Sequence, residues 1–255
     1  MRERTWEILG YALRDYIKTG ESITSDRLYR LYDFGIKPAM IRWELNDLSD
    51  AGYLMQTHHS GGRSPTDKGY KYLAESLINN LDCDVSRLLR ERASELINFL
   101  NYNREKRFIE EFSRYLNAFG VSYEPEASEI YESGLSNLFD GLENISRQEL
   151  IQIARDLDKL PDRLQAVSEE WFLDDVWPKV FIGENPIIRS NHLSILAQRI
   201  CHSGGDFIVL AIGPKRMDYQ KSLRLFNQLG RDGDLQKFRR SQKNKNTNGG
   251  RKRQK

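Results

Sequence analysis

Two side chains near the start of the chain, Arg42 and Asn46, carry hydrogen-bonding groups that can distinguish one base pair from another. An arginine can donate to O6 and N7 of guanine, and an asparagine can pair with N6 and N7 of adenine. Their four-residue spacing places both on one face of a helix, together with Ala39, Trp43 and Asp50. Trp43 has no such base code, and it either packs on thymine methyl groups and sugars or covers a neighbouring subunit. The face predicts contact with the major groove of DNA.

A glycine-tipped hairpin is predicted to follow this helix, with a strand over residues 53–57 and a turn at residues 61–62. An arginine beside flexible glycines suits a phosphate backbone or a narrow minor groove, where negative potential is concentrated. An ordinary polar hairpin is the alternative, and the position directly behind two helices favours the role on DNA. The side chains predicted to make these contacts are His58, His59, Ser60 and Arg63.

The elements before the hairpin predict a helix-turn-helix. One helix opens at Thr24 and Ser25, whose hydroxyls suit a capping position, and ends at residues 34–35. Pro38 suits the first position of the next helix, and Lys37 precedes it. The positions predicted to be buried in that second helix are Ile41, Leu45 and Leu48. Two helices followed by a hairpin define a winged helix, so Thr24, Ser25 and Lys37 are further candidate contacts with DNA.

Several strings of residues resemble a known family. Residues 8–77 resemble the N-terminal domain of HrcA, the bacterial heat-inducible transcription repressor, above all in the string HHSGGRSPTDKGYK at residues 58–71. Three later strings resemble landmarks of the C-terminal GAF-like domain of that family. They are SGLSNL at residues 133–138, FIGENP at residues 181–186 and IGPKRMDY at residues 212–219.

The resemblance implies a repressor that occupies inverted-repeat operators of chaperone genes and is released on heat stress. It also implies a homodimer and allows modulation by a chaperonin. Two features depart from the family. The helix that carries Arg42 and Asn46, which we call the reading helix, begins with residues 37–40, whereas family members usually have small hydroxyl residues there. Trp43 lies at a position where family members usually have asparagine. Between Tyr123 and Tyr131 there is no room for the run of strands and the dimerisation insert of the family, so we expect a shortened second domain.

The predicted fold class is α+β, with an N-terminal winged helix-turn-helix, a mainly helical segment and a small, reduced GAF-like α+β domain. The predicted boundaries are 1–80 for the winged helix, 81–178 for the helical segment, 179–236 for the GAF-like portion and 237–255 for a disordered basic tail. Apolar spacing predicts two helices within residues 85–116 and further helices at 128–138, 146–157 and 217–229. Strands are predicted at 180–182 and 207–212, whereas residues 193–200 fit either a strand or a helix.

The basic tail at residues 237–255 contains nine Lys or Arg and no acidic residue, in a chain whose formal net charge is only +2. Such a segment can bind any polyanion through the release of counterions, or it can simply keep the chain soluble. Two alternatives to a specific repressor therefore stay open. One is a nonspecific nucleic-acid binder led by this tail, and the other is a winged-helix scaffold that binds protein partners through Trp43.

Other functional classes find little support in the sequence. No apolar stretch reaches the roughly 18 residues of a membrane span, and the first residues do not resemble a signal peptide, so we expect a cytoplasmic protein. Cys83 and Cys201 are far apart and give neither a disulfide framework nor the spacing of metal ligands. The motifs of phosphate-binding loops, zinc proteases and serine hydrolases are absent, so we expect neither a cofactor nor an enzyme.

Overall fold

The computed structural model describes residues 1–56, 62–81, 86–102, 104–142, 145–173, 177–202 and 205–233. These residues form two compact units. Among the described residues, the first contains Met1–Asn79 with Lys215–Tyr219, and the second contains those of Asn80–Pro214 together with residues 220–233. The predictions that lie outside the described residues concern His58, His59, Ser60, Cys83 and the basic tail.

The first unit has the element order of a winged helix-turn-helix. Its elements are α1 (Glu3–Thr19), α2 (Ser25–Leu31), α3 (Pro38–Asp50), β1 (Leu54–Gln56), β2 (Arg63–Pro65) and α4 (Asp67–Ile78). Strands β1 and β2 pair antiparallel, and Ile23 adds an isolated antiparallel bridge to Arg63. The predicted winged helix is therefore confirmed, and α3 is the predicted reading helix.

The burial of α3 follows the predicted periodicity. Ile41, Leu45 and Leu48 are fully buried, and Pro38 is the first residue of the helix. The carboxylate of Glu44 is also buried and accepts a 2.5 Å hydrogen bond from the hydroxyl of Thr5. Because a buried carboxylate requires a donor, this bond attaches the reading helix to α1.

Helix α2 ends earlier than predicted. It ends at Leu31 rather than at residues 34–35, because Tyr32 adopts an extended backbone with φ −136° and ψ 142°. After this change of direction the ring of Tyr32 lies 4.6 Å from that of Tyr11, and the ring of Phe34 lies 5.6 Å from Tyr11. Aromatic packing against α1 thus accounts for the shorter helix.

The second unit is a mixed α+β structure, which confirms the predicted fold class. Its elements are α5 (Arg87–Asn101), α6 (Glu105–Leu116), β3 (Phe119–Glu124), β4 (Glu129–Ser133), α7 (Leu135–Asp140), α8 (Arg147–Asp158), α9 (Leu160–Leu173), β5 (Lys179–Ile182), β6 (Leu193–His202), β7 (Gly205–Pro214) and α10, described at residues 219–233. The five strands form one antiparallel sheet in the order β4-β3-β7-β6-β5.

Helices cover both faces of this sheet. Val121 and Leu210 are register partners on neighbouring strands, and both belong to a buried cluster that includes Ile153 of α8. The adjacent residue Gly120 faces the opposite side, where a Cβ atom would meet the Ser113 hydroxyl of α6 at 2.3 Å. The second unit therefore buries two apolar faces of a single sheet.

The prediction of a helix over residues 128–138 is wrong in its first half. That half is strand β4, which pairs with β3 in a hairpin, and helix α7 begins only after Gly134, whose φ is +80°. Residues 193–200 lie within strand β6. Strands β3 and β4 come from the segment that was expected to be mainly helical, so residues on both sides of position 178 share one sheet. The two predicted strands are therefore part of a five-stranded sheet.

Helix predictions in the second unit are closer to the structure. The two helices expected within residues 85–116 are α5 and α6. Ser146 caps α8, and Ser146 and Glu149 form a reciprocal capping box, as their spacing predicts. Among the residues that the structure describes, no helix combines the length and the apolar character that crossing a membrane requires.

Candidate nucleic-acid interface

The candidate interface is built on the exposed face of α3. Ala39, Arg42, Trp43 and Asn46 are all exposed on this helix, and Lys37 immediately before it is exposed as well. Trp43 has 63% of its surface exposed, which is high for a large aromatic residue. The structure thus brings five of the predicted contact residues onto one solvent-facing surface, on a helix whose opposite side is fixed in the core.

A groove of about 590 Å³ runs beside this face, within the first unit. Residues from the start of the chain and from α3 line it, among them Arg2, Trp43, Asn46 and Asp47. Its wall carries both charge signs, since Arg2 is cationic and Asp47 is anionic. The groove adds a concave surface beside the candidate interface.

Arg63 occupies a different place from the one that its position in the hairpin suggests. Its side chain turns back onto α3 and is only 8% exposed. The guanidinium Nε donates a 3.0 Å hydrogen bond to the hydroxyl of Ser49, and a terminal nitrogen donates a short hydrogen bond to Oδ1 of Asn46. Burial, with the nearby charge of Arg42 as a second cause, lowers the pKa of Arg63.

The main chain of Arg63 is fixed as firmly as its side chain. Its N–H donates to the Ile23 carbonyl at 3.0 Å, and its carbonyl accepts from the Ile23 N–H at 2.8 Å. Gly62, which precedes it, runs so close to Ser22 that a Cβ atom at residue 62 would lie 2.6 Å from the Ser22 side chain. Strands β1 and β2 form the wing of the winged helix. Its second strand, β2, is therefore joined to the segment before α2 and to α3, the predicted reading helix.

Thr24 and Ser25 lie at the start of α2 but not on the exposed face of α3. The Thr24 hydroxyl accepts a 3.2 Å hydrogen bond from the N–H of Arg27, which is the predicted capping contact. Ser25 is buried, with 5% of its surface exposed. In this structure Thr24 stabilises the helix, and Ser25 contributes to the interior of the unit.

Sequence reasoning missed two contacts that position the interface. Glu44 and Thr5 join α3 to α1, and Arg27 of α2 makes a 2.5 Å ion pair with the nearly buried Asp15 of α1. Each pair combines residues that are distant in sequence and are of common types. No local pattern marks them, so only the folded structure reveals them.

A metal centre finds no support in the parts of the chain that are described. Within those parts no group of three or more His, Cys, Asp or Glu side chains is arranged to hold an ion. Cys201 is buried, and its sulfur atom is not part of a disulfide.

The fold and the exposed face define a class: a winged helix-turn-helix unit in the same chain as an α+β unit. A crystal structure of a hypothetical protein at 2.2 Å resolution shares this fold, with a TM-score of 0.71. The similarity covers 91% of this chain and 98% of that one at 15% sequence identity. It therefore concerns the fold alone.

Residues 70–223 match the family model described as the HrcA protein C terminal domain. The match covers more than half of the chain, and the chain belongs to the HrcA family. The three later strings recognised in the sequence, at residues 133–138, 181–186 and 212–219, all lie within this match.

Individual relatives match smaller parts of the chain. The heat-inducible transcription repressor HrcA of Clostridioides difficile is 37% identical over 118 residues, which are 46% of this chain and 34% of the relative. The protein of the same name from Carboxydothermus hydrogenoformans is 35% identical over 132 residues, which are 50% of this chain and 38% of the relative. The chain therefore covers little more than a third of the length of these curated relatives.

Proposed function

We propose that this chain is a sequence-specific DNA-binding transcription repressor. The observation that carries the proposal is the exposed face of α3, on which Arg42, Trp43 and Asn46 lie together on a helix whose other side is buried. A helix of this kind fits the major groove, and the hairpin that follows it fits the adjacent backbone. Repression would result from occupation of the operator.

The roles of the residues follow from their chemistry. Arg42 would donate to a guanine edge, and Trp43 would pack on thymine methyl groups or sugars. Lys37, at the start of α3, would lie near a phosphate. His58 and His59, together with Ser60, belong to the hairpin tip outside the described residues, and their contact with the backbone rests on the sequence alone.

The names of the relatives suggest the biological setting. Two of them are called heat-inducible transcription repressors, so we propose that this chain represses genes that are induced by heat, including chaperone genes. We also propose that it acts in the cytoplasm on an inverted-repeat operator, and that a chaperonin modulates it. These proposals depend on the family resemblance and not on any feature of the site.

An inverted repeat requires two reading helices fixed about one helical turn of DNA apart, so we propose a homodimer. Light scattering of the free protein at micromolar concentration measures its mass directly. A dimer mass supports a preformed pair, and a monomer mass refutes it.

A selection of bound sequences from random DNA tests the main proposal. Enrichment of an inverted repeat is expected, and its affinity is then compared with that of scrambled DNA at one fixed salt concentration, because affinities for DNA depend strongly on salt. Arg42→Ala should lower operator affinity by about 1–3 kcal/mol and relax the base preference at one position. Arg90→Ala, which removes an exposed arginine of α5, is the matched control and should leave the preference unchanged.

The same experiment separates the two alternatives. A nonspecific binder would bind operator and scrambled DNA equally, and its affinity would fall when residues 237–255 are removed. A protein scaffold would bind neither DNA with useful affinity. If Arg42→Ala and Arg90→Ala behave alike on selected DNA, the proposed reading face is wrong.

A further inference from the structure

Arg63 determines which atoms Asn46 can offer to a base. A guanidinium group has hydrogen-bond donors and no acceptor, so the atom of Asn46 that faces Arg63 must be the carbonyl oxygen Oδ1. The carboxamide is planar, and its nitrogen Nδ2 is on the branch that points away from Oδ1. Asn46 is exposed, so this nitrogen is the polar group that it can turn towards DNA.

Further hydrogen bonds of Arg63 hold it in position beside Asn46. Ser49 donates its own hydroxyl proton to the Leu45 carbonyl at 3.0 Å, so its oxygen is available to accept from Arg63 Nε at 3.0 Å. Both main-chain hydrogen-bonding groups of Arg63 are paired with Ile23. The guanidinium of Arg63 therefore cannot move away from Asn46 without straining or losing its hydrogen bond to Ser49 of α3.

An asparagine recognises adenine by using both ends of its amide, because Nδ2 donates to N7 while Oδ1 accepts from the N6 amino group. In this chain Oδ1 already accepts from a cation. An adenine amino group that approached the same oxygen would place its donor protons beside the guanidinium charge. The acceptor edge of guanine, with O6 and N7, presents no such conflict to an N–H donor.

We propose that Arg63 is a positioning residue that holds Asn46 as a hydrogen-bond donor only, so that Asn46 selects guanine rather than adenine at its operator position. This inference rests on the proposed function. It assigns Arg63 a role in base preference and not in phosphate binding, because its guanidinium is buried and its bonds are made within the protein. The wing and the reading helix then act as one unit in recognition.

The test compares base preference among variants of the full chain. Operators with each of the four bases at every position are measured at several salt concentrations, for the parent, Asn46→Ala, Arg63→Met and Arg30→Met. Arg63→Met removes the donors but keeps an unbranched chain in the buried site. Arg30→Met is the control, since Arg30 is exposed on α2 and its Nε donates to the main chain of its own helix.

The parent should prefer guanine over adenine at one position of each half-site, and Asn46→Ala should abolish this preference. Arg63→Met should lower the guanine-to-adenine ratio at the same position by on the order of 5-fold to 150-fold, the range of one specific base contact, without changing the salt dependence. A double variant that combines Asn46→Ala with Arg63→Met should show no loss beyond that of Asn46→Ala at this position. Arg30→Met should retain the preference of the parent.

Asn46→Asp provides a second readout should Arg63→Met fail to fold. An aspartate can still accept from Arg63 but offers no N–H donor, so the guanine preference should disappear while the unit stays folded. An adenine preference that depends on Asn46 would overturn the inference, as would an even loss of affinity with a weaker salt dependence in Arg63→Met. If the parent selects no sequence at all, the proposed function itself fails. If it selects a sequence in which neither variant changes the base preference, the inference fails and the proposed function stands.

Discussion

Replacement of Asp156 should weaken the second unit more than almost any other single polar change. This carboxylate is fully buried on α8. Its Oδ2 accepts from the backbone N–H groups of Arg189 at 3.0 Å and Ser190 at 2.8 Å, and its Oδ1 accepts from Arg163 at 2.8 Å and Gln152 at 3.2 Å. One side chain thus joins two helices to the loop that follows the string FIGENP.

Removal of one partner from a buried ion pair costs about 3–5 kcal/mol, because the other charge stays in a place where water cannot solvate it. Asp156→Ala leaves Arg163 in that position, with 17% of its side chain exposed and one remaining hydrogen bond to the Ile187 carbonyl. It also leaves two backbone N–H groups without their acceptor, a loss that overlaps with the first. We expect a total of about 3–5 kcal/mol for Asp156→Ala and about 1–3 kcal/mol for Asp156→Asn, which retains an oxygen.

Urea unfolding followed by tryptophan fluorescence measures this loss, since Trp171 is a buried residue of the same unit. Asp158→Ala is the matched control, because Asp158 has the same side chain on the same helix but is exposed. An exposed substitution of this kind usually changes the free energy of unfolding by less than about 0.5 kcal/mol. If Asp156→Ala is no more destabilising than Asp158→Ala, the proposed role of the buried carboxylate is refuted.

Three further predictions concern other parts of the chain. Gly69→Ala places a Cβ atom 2.4 Å from the Tyr53 main-chain oxygen, and we expect it to lower the free energy of unfolding by about 1–3 kcal/mol. Gly10→Ala is the control, because the nearest atom to its new Cβ is 3.6 Å away, and it should raise the free energy of unfolding by roughly 0.5–1 kcal/mol. Equal effects of the two variants in thermal unfolding would contradict the steric argument. Hydrogen bonds from Ser146 lower the pKa of Glu149 to about 2, so Glu149 stabilises the fold above its ordinary pKa of 4.5 and ceases to do so as the pH falls towards 2. The difference in melting temperature between the parent and Glu149→Gln should shrink over that interval, and a constant difference would argue against it. Removal of residues 237–255, which carry nine positive charges, should weaken nonspecific DNA binding and reduce its salt dependence without changing the melting temperature; a clear drop in that temperature would show that the segment supports the fold.

The reading helix was predictable because its signals are local. Apolar residues repeat at helical spacing through Ile41, Leu45 and Leu48, and Pro38 marks the first turn. The same spacing identifies the opposite face, where Arg42 is exposed. Periodicity answers the question of which residues face inward, since it depends only on the geometry of one helix.

The central sheet was less predictable because β3 pairs with a strand far along the chain and β4 lies at the edge of the sheet. Residues 119–123 pair with residues 208–212 of β7, which are far along the chain. Strand β4 is an edge strand that carries Glu129 and Glu132 and is only partly buried, so it lacks a continuous apolar pattern. Gly134, in the left-handed region, divides the segment into a strand and a helix. A helix prediction over residues 128–138 overlooked that division.

The chemistry of the wing shows a different limit of sequence reasoning. An arginine after two glycines has the position and the charge of a phosphate contact, and both were visible in the sequence. The direction of its side chain was not, because it depends on Ser49 and Asn46, which are placed by the packing of α3 rather than by anything in the hairpin. The packing that buries Arg63 also places its guanidinium in a hydrogen bond with Asn46, which is exposed. Under the proposed function, we therefore expect recognition of DNA to change when the buried Arg63 is replaced.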